Sequence, residues 1–246
     1  MSGRLAVVGI GPGSPDQLTL AAAEELASAE VLIGYSGYLD LLPGEVAPGR
    51  REPFRLGEER ERARRAVAEA AAGARVALVS SGDAGIYGMA SLAIDEAVSR
   101  GEAAPLLAVV PGVTAASAAG ALLGAPLAVD FACLSLSDLL VPRAELMDRL
   151  RALAATDIVL VLYNPASRSR REPWQEAVAE MRRHRTPATP VAAVRRAFRE
   201  GQEVTLSDVA HMDELAVDME TLVLVGSSRT HRVGEWLYSL RHQFKK

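Results

Sequence analysis

The sequence has few cysteines, few aromatic residues and no excess of positive charge. Cys133 is the only cysteine in 246 residues, which excludes an intramolecular disulfide and any all-cysteine metal site. Aromatic residues make up 4%, and the net charge of −4 gives no overall attraction to nucleic acid. No uncharged apolar run reaches about 18 residues, and the first residues lack a secretory signal pattern. We therefore expect a soluble cytoplasmic protein.

Hydrophobic residues make up 49% of the chain and are arranged in short runs that alternate with helical patterns. This alternation is typical of βαβ units on a mostly parallel sheet, so the predicted fold class is α/β. The predicted strands of the first half are residues 5–10, 31–33, 76–79 and 106–110. The predicted helices are residues 59–72, 84–100, 113–123 and one that Ser14 or Asp16 caps and that ends near Ala29.

A Gly-Ala-Pro break after residue 123 interrupts this alternation, and we place a domain boundary at about residue 128. The predicted domains are residues 1–128 and 129–246. In the second domain we expect strands at residues 131–136, 158–163, 191–194 and 221–225. Helices are predicted at residues 143–155, 173–184 and 234–243.

The first predicted strand ends in Gly9-Ile10-Gly11-Pro12-Gly13. A dinucleotide-binding fingerprint requires a third glycine where Ser14 stands, and Pro12 removes a backbone N–H that would face a phosphate. The alternatives are a plain tight turn and a turn that brings backbone close to another kind of ligand.

Two further strand ends carry the same design. Gly82, Gly85 and Gly88 punctuate the loop after the strand at residues 76–79, with Asp83 among them. A Pro-Gly turn and small residues follow the strand at residues 106–110. Ligands bind at the carboxyl ends of strands in open α/β sheets, so the three loops predict a binding site. Asp83 alone could also be a helix N-cap.

The motifs Gly-x-Gly-Pro-Gly, Ser-Gly-Asp-x-x-Ile-Tyr-Gly and Pro-Gly-Val-Thr-Ala, in this order, resemble the tetrapyrrole (corrin/porphyrin) methylase family. The resemblance continues at Leu162-Tyr163-Asn164-Pro165 in the second half. Residues 34–42, 130–140 and 163–167 are similar to the branch of this family that methylates C17 of precorrin-3B. The resemblance covers nearly the whole chain.

The resemblance implies two α/β domains with a cofactor cleft between them, and a homodimer. It implies methylation of precorrin-3B at C17 by S-adenosylmethionine, with ring contraction to precorrin-4, in cobalamin biosynthesis. A cobalt-containing substrate is the nearest alternative. An RNA or protein methylase of the same superfamily and a non-catalytic tetrapyrrole carrier are further alternatives.

Carried over residue by residue, the resemblance implies S-adenosylmethionine contacts in both halves of the chain. Asn164 stands where a relative has Met, Ala197 where it has Gly, and Ala84 where many members have Pro. The implied contacts are Pro12, Ser81, Gly82, Asp83, Ile86, Thr114, Ala115, Asn164 and Ala197.

Ring contraction requires proton movement, so a general acid or base is expected near the substrate. The candidates are Asp83, Tyr87 and Ser36, in that order. No two histidines have metal-ligand spacing, so no protein-bound metal is expected.

Arginines form two short clusters, for which solvated loops and capture of substrate carboxylates are both open interpretations. The clusters are Arg50, Arg51 and Arg55, and Arg168, Arg170 and Arg171. Cys133 lies in an apolar run and is expected to be a buried, inert thiol.

Overall fold

The chain forms two compact units that divide between Ala115 and Ala116. The computed structural model describes residues 3–101, 104–167 and 169–241, so Arg168 of the second arginine cluster lies outside the described residues. Nearly all of the helix at residues 115–123 belongs to the second unit, whereas a boundary at about residue 128 would assign that helix to the first.

The first unit is built on a parallel sheet, as predicted, but with five strands where four were predicted. The strands are β1 (Arg4–Gly9), β2 (Val31–Tyr35), β3 (Arg50–Phe54), β4 (Arg75–Ser80) and β5 (Leu106–Val110). Their order in the sheet is β3-β2-β4-β1-β5. The helices are α1 (Leu20–Ser28), α2 (Ser36–Leu39), α3 (Glu59–Ala71) and α4 (Ala90–Val98).

Both faces of this sheet are buried, which explains why its inner strands read as continuous apolar runs. On β1, Leu5 and Val7 join a core cluster with α3 and α4, whereas Ala6 and Val8 join a cluster with α1 and α2. Helices therefore cover both faces of the sheet and leave the strand ends for the loops.

Two predicted helix starts are wrong. Residues 15–17 form a separate 3-10 turn, and the hydroxyl of Thr19 caps α1 by accepting the N–H of Ala22. Similarly, α4 begins at Ala90 rather than Ala84. Residues 84–89 form a loop in which Tyr87 has a left-handed backbone, with φ of 53°, which interrupts a helix.

The second unit is also α/β, but its main sheet is mixed. The strands are β6 (Gly124–Ala125), β7 (Phe131–Ser135), β8 (Val159–Tyr163), β9 (Pro190–Arg195), β10 (Glu203–Asp208), β11 (Thr221–Val225), β12 (Thr230–Val233) and β13 (Trp236–Ser239). The order in the main sheet is β10-β9-β11-β8-β7, and only the β7–β8 pair is parallel. The helices are α5 (Ala115–Leu123), α6 (Arg143–Ala154) and α7 (Glu172–His184).

The predicted closing helix at residues 234–243 is wrong, although its last two residues lie outside the described part. Strands β12 and β13 pair as a hairpin, and β13 also pairs with β6. Gly234 turns the hairpin with φ of 60°, a conformation that glycine adopts easily. Within the described ranges, no helix is long and apolar enough to cross a membrane.

Candidate functional site

Three loops of the first unit meet at one edge of its sheet. Strand β1 lies between β4 and β5, and all three are parallel, so their carboxyl ends share that edge. We call the loops loop 1 (residues 9–14), loop 2 (residues 80–89) and loop 3 (residues 110–115). Loops 1 and 2 are joined by two hydrogen bonds, from Gly11 N to the Gly82 carbonyl at 3.0 Å and from Gly82 N to the Gly11 carbonyl at 2.8 Å.

Glycines allow these loops to touch backbone to backbone. A Cβ on Gly112 would lie 2.2 Å from the Gly82 carbonyl oxygen, and a Cβ on Gly9 would lie 2.7 Å from the same atom. Such contacts are impossible for real side chains, so loops 1 to 3 require glycine at these places. Gly82 also has φ of 64°, which favours glycine independently.

Asp83 joins loop 2 to loop 3. Its Oδ1 accepts the N–H of Gly85 at 2.8 Å and its Oδ2 accepts the N–H of Gly112 at 3.0 Å. The alternative that Asp83 is a helix N-cap is wrong, because α4 begins only at Ala90. Both carboxylate oxygens of Asp83 therefore hold backbone amides in place.

The tip of loop 2 is its exposed part. Ile86 and Tyr87 are 41% and 54% exposed, while Pro12 at the base of loop 1 is buried. The structure thus gathers most of the predicted cofactor residues on three loops of one sheet edge. These residues are Pro12, Ser81, Gly82, Asp83, Ile86, Thr114 and Ala115.

Ser36 lies at the same edge, because β2 pairs with β4 in parallel and Ser36 begins α2 directly after β2. From β3, Arg51 donates to the carbonyls of Leu39 at 2.8 Å and Leu42 at 2.6 Å. This guanidinium holds the end of α2, although Arg51 is an exposed residue.

In the second unit, Asn164 directly follows β8. It has a left-handed backbone with φ of 50°, and its Nδ2 donates to the Ser135 hydroxyl at 3.0 Å. The Tyr163 hydroxyl accepts the N–H of Ala116 at 3.0 Å. Arg170 donates to the carbonyls of Leu136 and Asn164. Sequence reasoning missed the roles of Ser135 and Arg170, because nothing in the spacing pairs them with Asn164.

Ala197 lies in the turn between β9 and β10. Its neighbours Arg196 and Phe198 both have left-handed backbones, with φ of 49° and 57°. The Glu220 carboxylate, which the sequence did not single out, lies beside this turn. It accepts hydrogen bonds at 2.7–2.9 Å from three arginines, namely Arg195, Arg196 and Arg199.

Further titratable groups with a shifted pKa belong to the second unit. Cys133 on β7 is half-buried rather than fully buried, and burial raises the pKa of its thiol. The Asp208 carboxylate accepts a hydrogen bond from exposed His211, which raises the pKa of that imidazole. Among the described residues, no group of three His, Cys, Asp or Glu side chains could hold a metal ion.

Comparison with known proteins identifies relatives of the whole arrangement. The sequence-family model of the tetrapyrrole (corrin/porphyrin) methylases matches residues 4–213 of this chain. The probable cobalt-factor III C(17)-methyltransferase of Salmonella typhimurium is 42% identical over 229 residues, covering 92% of this chain and 94% of that protein. The precorrin-3B C(17)-methyltransferase of Sinorhizobium sp. is 42% identical over 241 residues, covering 95% and 92%.

Other relatives are longer or are known as structures. The cobalt-factor III methyltransferase of Priestia megaterium is 38% identical over 94% of this chain, and the chain spans only 43% of the length of that protein. The crystal structure of the methyltransferase CobJ has a TM-score of 0.89 and 35% identity, covering 97% of this chain and 100% of that one. The uroporphyrin-III C-methyl transferase of Thermus thermophilus, complexed with S-adenyl homocysteine, has a TM-score of 0.68 and 27% identity, covering 91% and 92%.

Proposed function

The chain belongs to the tetrapyrrole (corrin/porphyrin) methylase family, and on that premise we propose its reaction. It transfers the methyl group of S-adenosylmethionine to C17 of precorrin-3B, with contraction of the ring to precorrin-4, in cobalamin biosynthesis. The observation that carries this proposal is the edge of loops 1 to 3, found in a chain 42% identical to a precorrin-3B C(17)-methyltransferase.

The chemistry of loops 1 to 3 fits this cosubstrate. S-adenosylmethionine carries its methyl group activated on a sulfonium, so the transfer requires no nucleophilic side chain. The site must hold the methyl group in line with the ring carbon and exclude water, and such orientation contributes about 7–11 kcal/mol. Backbone amides and small residues, fixed by the hydrogen bonds of Gly11, Gly82 and Asp83, suit that task.

We assign to cofactor binding the residues that the family resemblance implies. The Thermus thermophilus relative complexed with S-adenyl homocysteine supports the assignment of a cofactor site. The residues assigned to it are Pro12, Ser81, Gly82, Asp83, Ile86, Thr114, Ala115, Asn164 and Ala197.

As the general acid or base for ring contraction, we rank Tyr87 and Ser36 above Asp83. The Asp83 carboxylate already accepts two backbone amides, and using it for proton transfer would disturb both hydrogen bonds. Tyr87 lies at the exposed tip of loop 2, and Ser36 lies at the same sheet edge.

The second candidate substrate is the cobalt-containing counterpart, cobalt-factor III. Relatives named for each substrate are equally similar to this chain, at 42% identity. In either case the protein is proposed to act as a cytoplasmic homodimer without a metal ion of its own or a nucleic-acid partner. Any cobalt belongs to the substrate.

The test is incubation of the purified chain with S-adenosylmethionine and either precorrin-3B or cobalt-factor III, followed by mass analysis of both products. With one of the two tetrapyrroles, we expect S-adenosylhomocysteine to form and the tetrapyrrole to gain one methyl group from S-adenosylmethionine. Methyl transfer to RNA or protein instead would establish another methylase of the superfamily. Tetrapyrrole binding without S-adenosylhomocysteine formation would leave only the carrier function.

A further inference from the structure

One arginine holds together the ends of two neighbouring strands in the second unit. Ser135 and Tyr163 are partners at the ends of β7 and β8, and Leu136 N extends the ladder by donating to the Tyr163 carbonyl at 2.8 Å. Beyond this point, Nη1 of Arg170 donates to the Leu136 carbonyl and Nη2 donates to the Asn164 carbonyl at 3.1 Å. A single guanidinium therefore spans both strand ends.

The backbone of Asn164 has an unfavourable conformation for its sequence. Its φ of 50° lies in the left-handed region, which asparagine adopts more readily than most residues but less readily than glycine. Asn164 also precedes Pro165, and a residue before proline prefers an extended backbone. Two hydrogen bonds oppose these preferences, one from Asn164 Nδ2 to the Ser135 hydroxyl and one from Arg170 to the Asn164 carbonyl.

Each nitrogen of the Arg170 guanidinium has a partner inside the second unit. Its side chain is only 11% exposed, and its Nε lies 3.6 Å from the Asp138 carboxylate, which balances the charge. The two Nη atoms donate to backbone carbonyls. Arg170 is therefore placed to act on the backbone of Asn164 rather than to capture a ligand carboxylate.

We propose that Arg170 is a positioning residue that imposes the left-handed conformation of Asn164 and thereby orients Asn164 for cofactor binding. The inference rests on the proposed function, which assigns Asn164 to the cofactor site. A planar guanidinium can reach two carbonyls at once, whereas a lysine ammonium is a single point of charge. Arg170→Lys therefore keeps the charge and removes the double contact.

The first test measures binding of S-adenosylhomocysteine to the full chain by calorimetry. We expect Arg170→Lys to raise Kd about tenfold, equivalent to about 1.4 kcal/mol, with kcat at saturating S-adenosylmethionine unchanged. A merely structural role would lower the amount of active protein and hence kcat, without raising Kd. Arg149→Lys, at an exposed ion pair on α6, is the matched control and should leave Kd unchanged.

The second test asks whether the effect passes through Asn164. Glycine adopts a positive φ without steric cost, so Asn164→Gly reduces the need for the hydrogen bond from Arg170 to the carbonyl of residue 164. In that background, Arg170→Lys should raise Kd less than about threefold, a clear departure from additivity. Equal effects in both backgrounds would overturn the proposed mechanism.

The two proposals fail in different ways. If Arg170→Lys binds S-adenosylhomocysteine as tightly as the unmodified chain does, the inference about Arg170 is wrong and the proposed function stands. If the unmodified, folded chain does not bind S-adenosylhomocysteine, the proposed function is wrong.

Discussion

The two units stabilise the carboxyl ends of their strands in different ways. In the first unit, loops 1 and 2 exchange backbone hydrogen bonds, and glycines let loop 3 approach them without a side chain between. In the second unit, the strand ends are held by the side chains of Ser135, Asn164, Arg170 and Glu220. The first arrangement tolerates no added atoms at Gly9 or Gly112, whereas the second depends on polar and charged side chains.

The strongest way to break the backbone arrangement is Gly112→Ala. Its methyl group would lie 2.2 Å from the Gly82 carbonyl oxygen and 2.7 Å from backbone atoms of Gly9, so the loops must separate. We expect a loss in the free energy of unfolding of more than about 3 kcal/mol, above the usual cost of overpacking. Urea denaturation measures it.

Gly44→Ala is the control for this prediction, because nothing lies within 4 Å of the Cβ that it adds. Its stability should change by less than about 0.5 kcal/mol. If Gly112→Ala were equally mild, the contact of loop 3 with loops 1 and 2 would not need glycine.

Asp83→Asn changes the side chain that joins loop 2 to loop 3. An amide offers a single acceptor oxygen, so one of the Gly85 and Gly112 N–H groups loses its partner, at about 1–3 kcal/mol. We expect weaker S-adenosylhomocysteine binding, measured by calorimetry, and an unchanged pH profile of kcat. A lost limb of that profile with intact binding would instead identify Asp83 as the acid or base. Asp95→Asn, at an exposed site on α4, is the control.

Glu220→Gln tests the side-chain arrangement of the second unit. The carboxylate pairs with Arg195, Arg196 and Arg199 beside the turn that contains Ala197, and all four side chains are partly exposed. Solvent and salt weaken such pairs, so we expect a loss of about 1 kcal/mol that shrinks at high salt. Thermal unfolding at two salt concentrations measures it. A loss independent of salt would show that charge is not what holds this turn.

The smallest effect is expected at His211 and Asp208, an exposed pair 2.8 Å apart. The hydrogen bond to Asp208 raises the pKa of His211, so the pair's contribution to stability is complete below the ordinary histidine pKa and is lost as pH rises through the raised value. His211 likewise lowers the pKa of Asp208, so the contribution is also lost as pH falls through that lowered value.

NMR titration checks this pair, with the other histidine signals as the internal reference. Asp208→Asn should return the His211 pKa toward its ordinary value. An unchanged His211 pKa in the variant would show that the hydrogen bond is not its cause.

Features set by local sequence could be predicted, and features set by distant partners could not. The buried strands and glycine loops of the first unit were found because apolar runs and Gly-Pro turns act locally. Strand β3 was missed because its sequence, RREPF, is that of an exposed edge strand. The Arg170 contact with Leu136 joins residues 34 positions apart through a side chain, which no spacing rule detects.

The pairing of Gly11 with Gly82 has a consequence for the thermodynamics of binding. Because this pairing extends the contact between β1 and β4, loops 1 and 2 become ordered when the sheet of the first unit forms. The conformational entropy lost by these glycines is then part of folding and does not oppose ligand association. A preordered surface of this kind lowers the entropic cost of binding any ligand that contacts it.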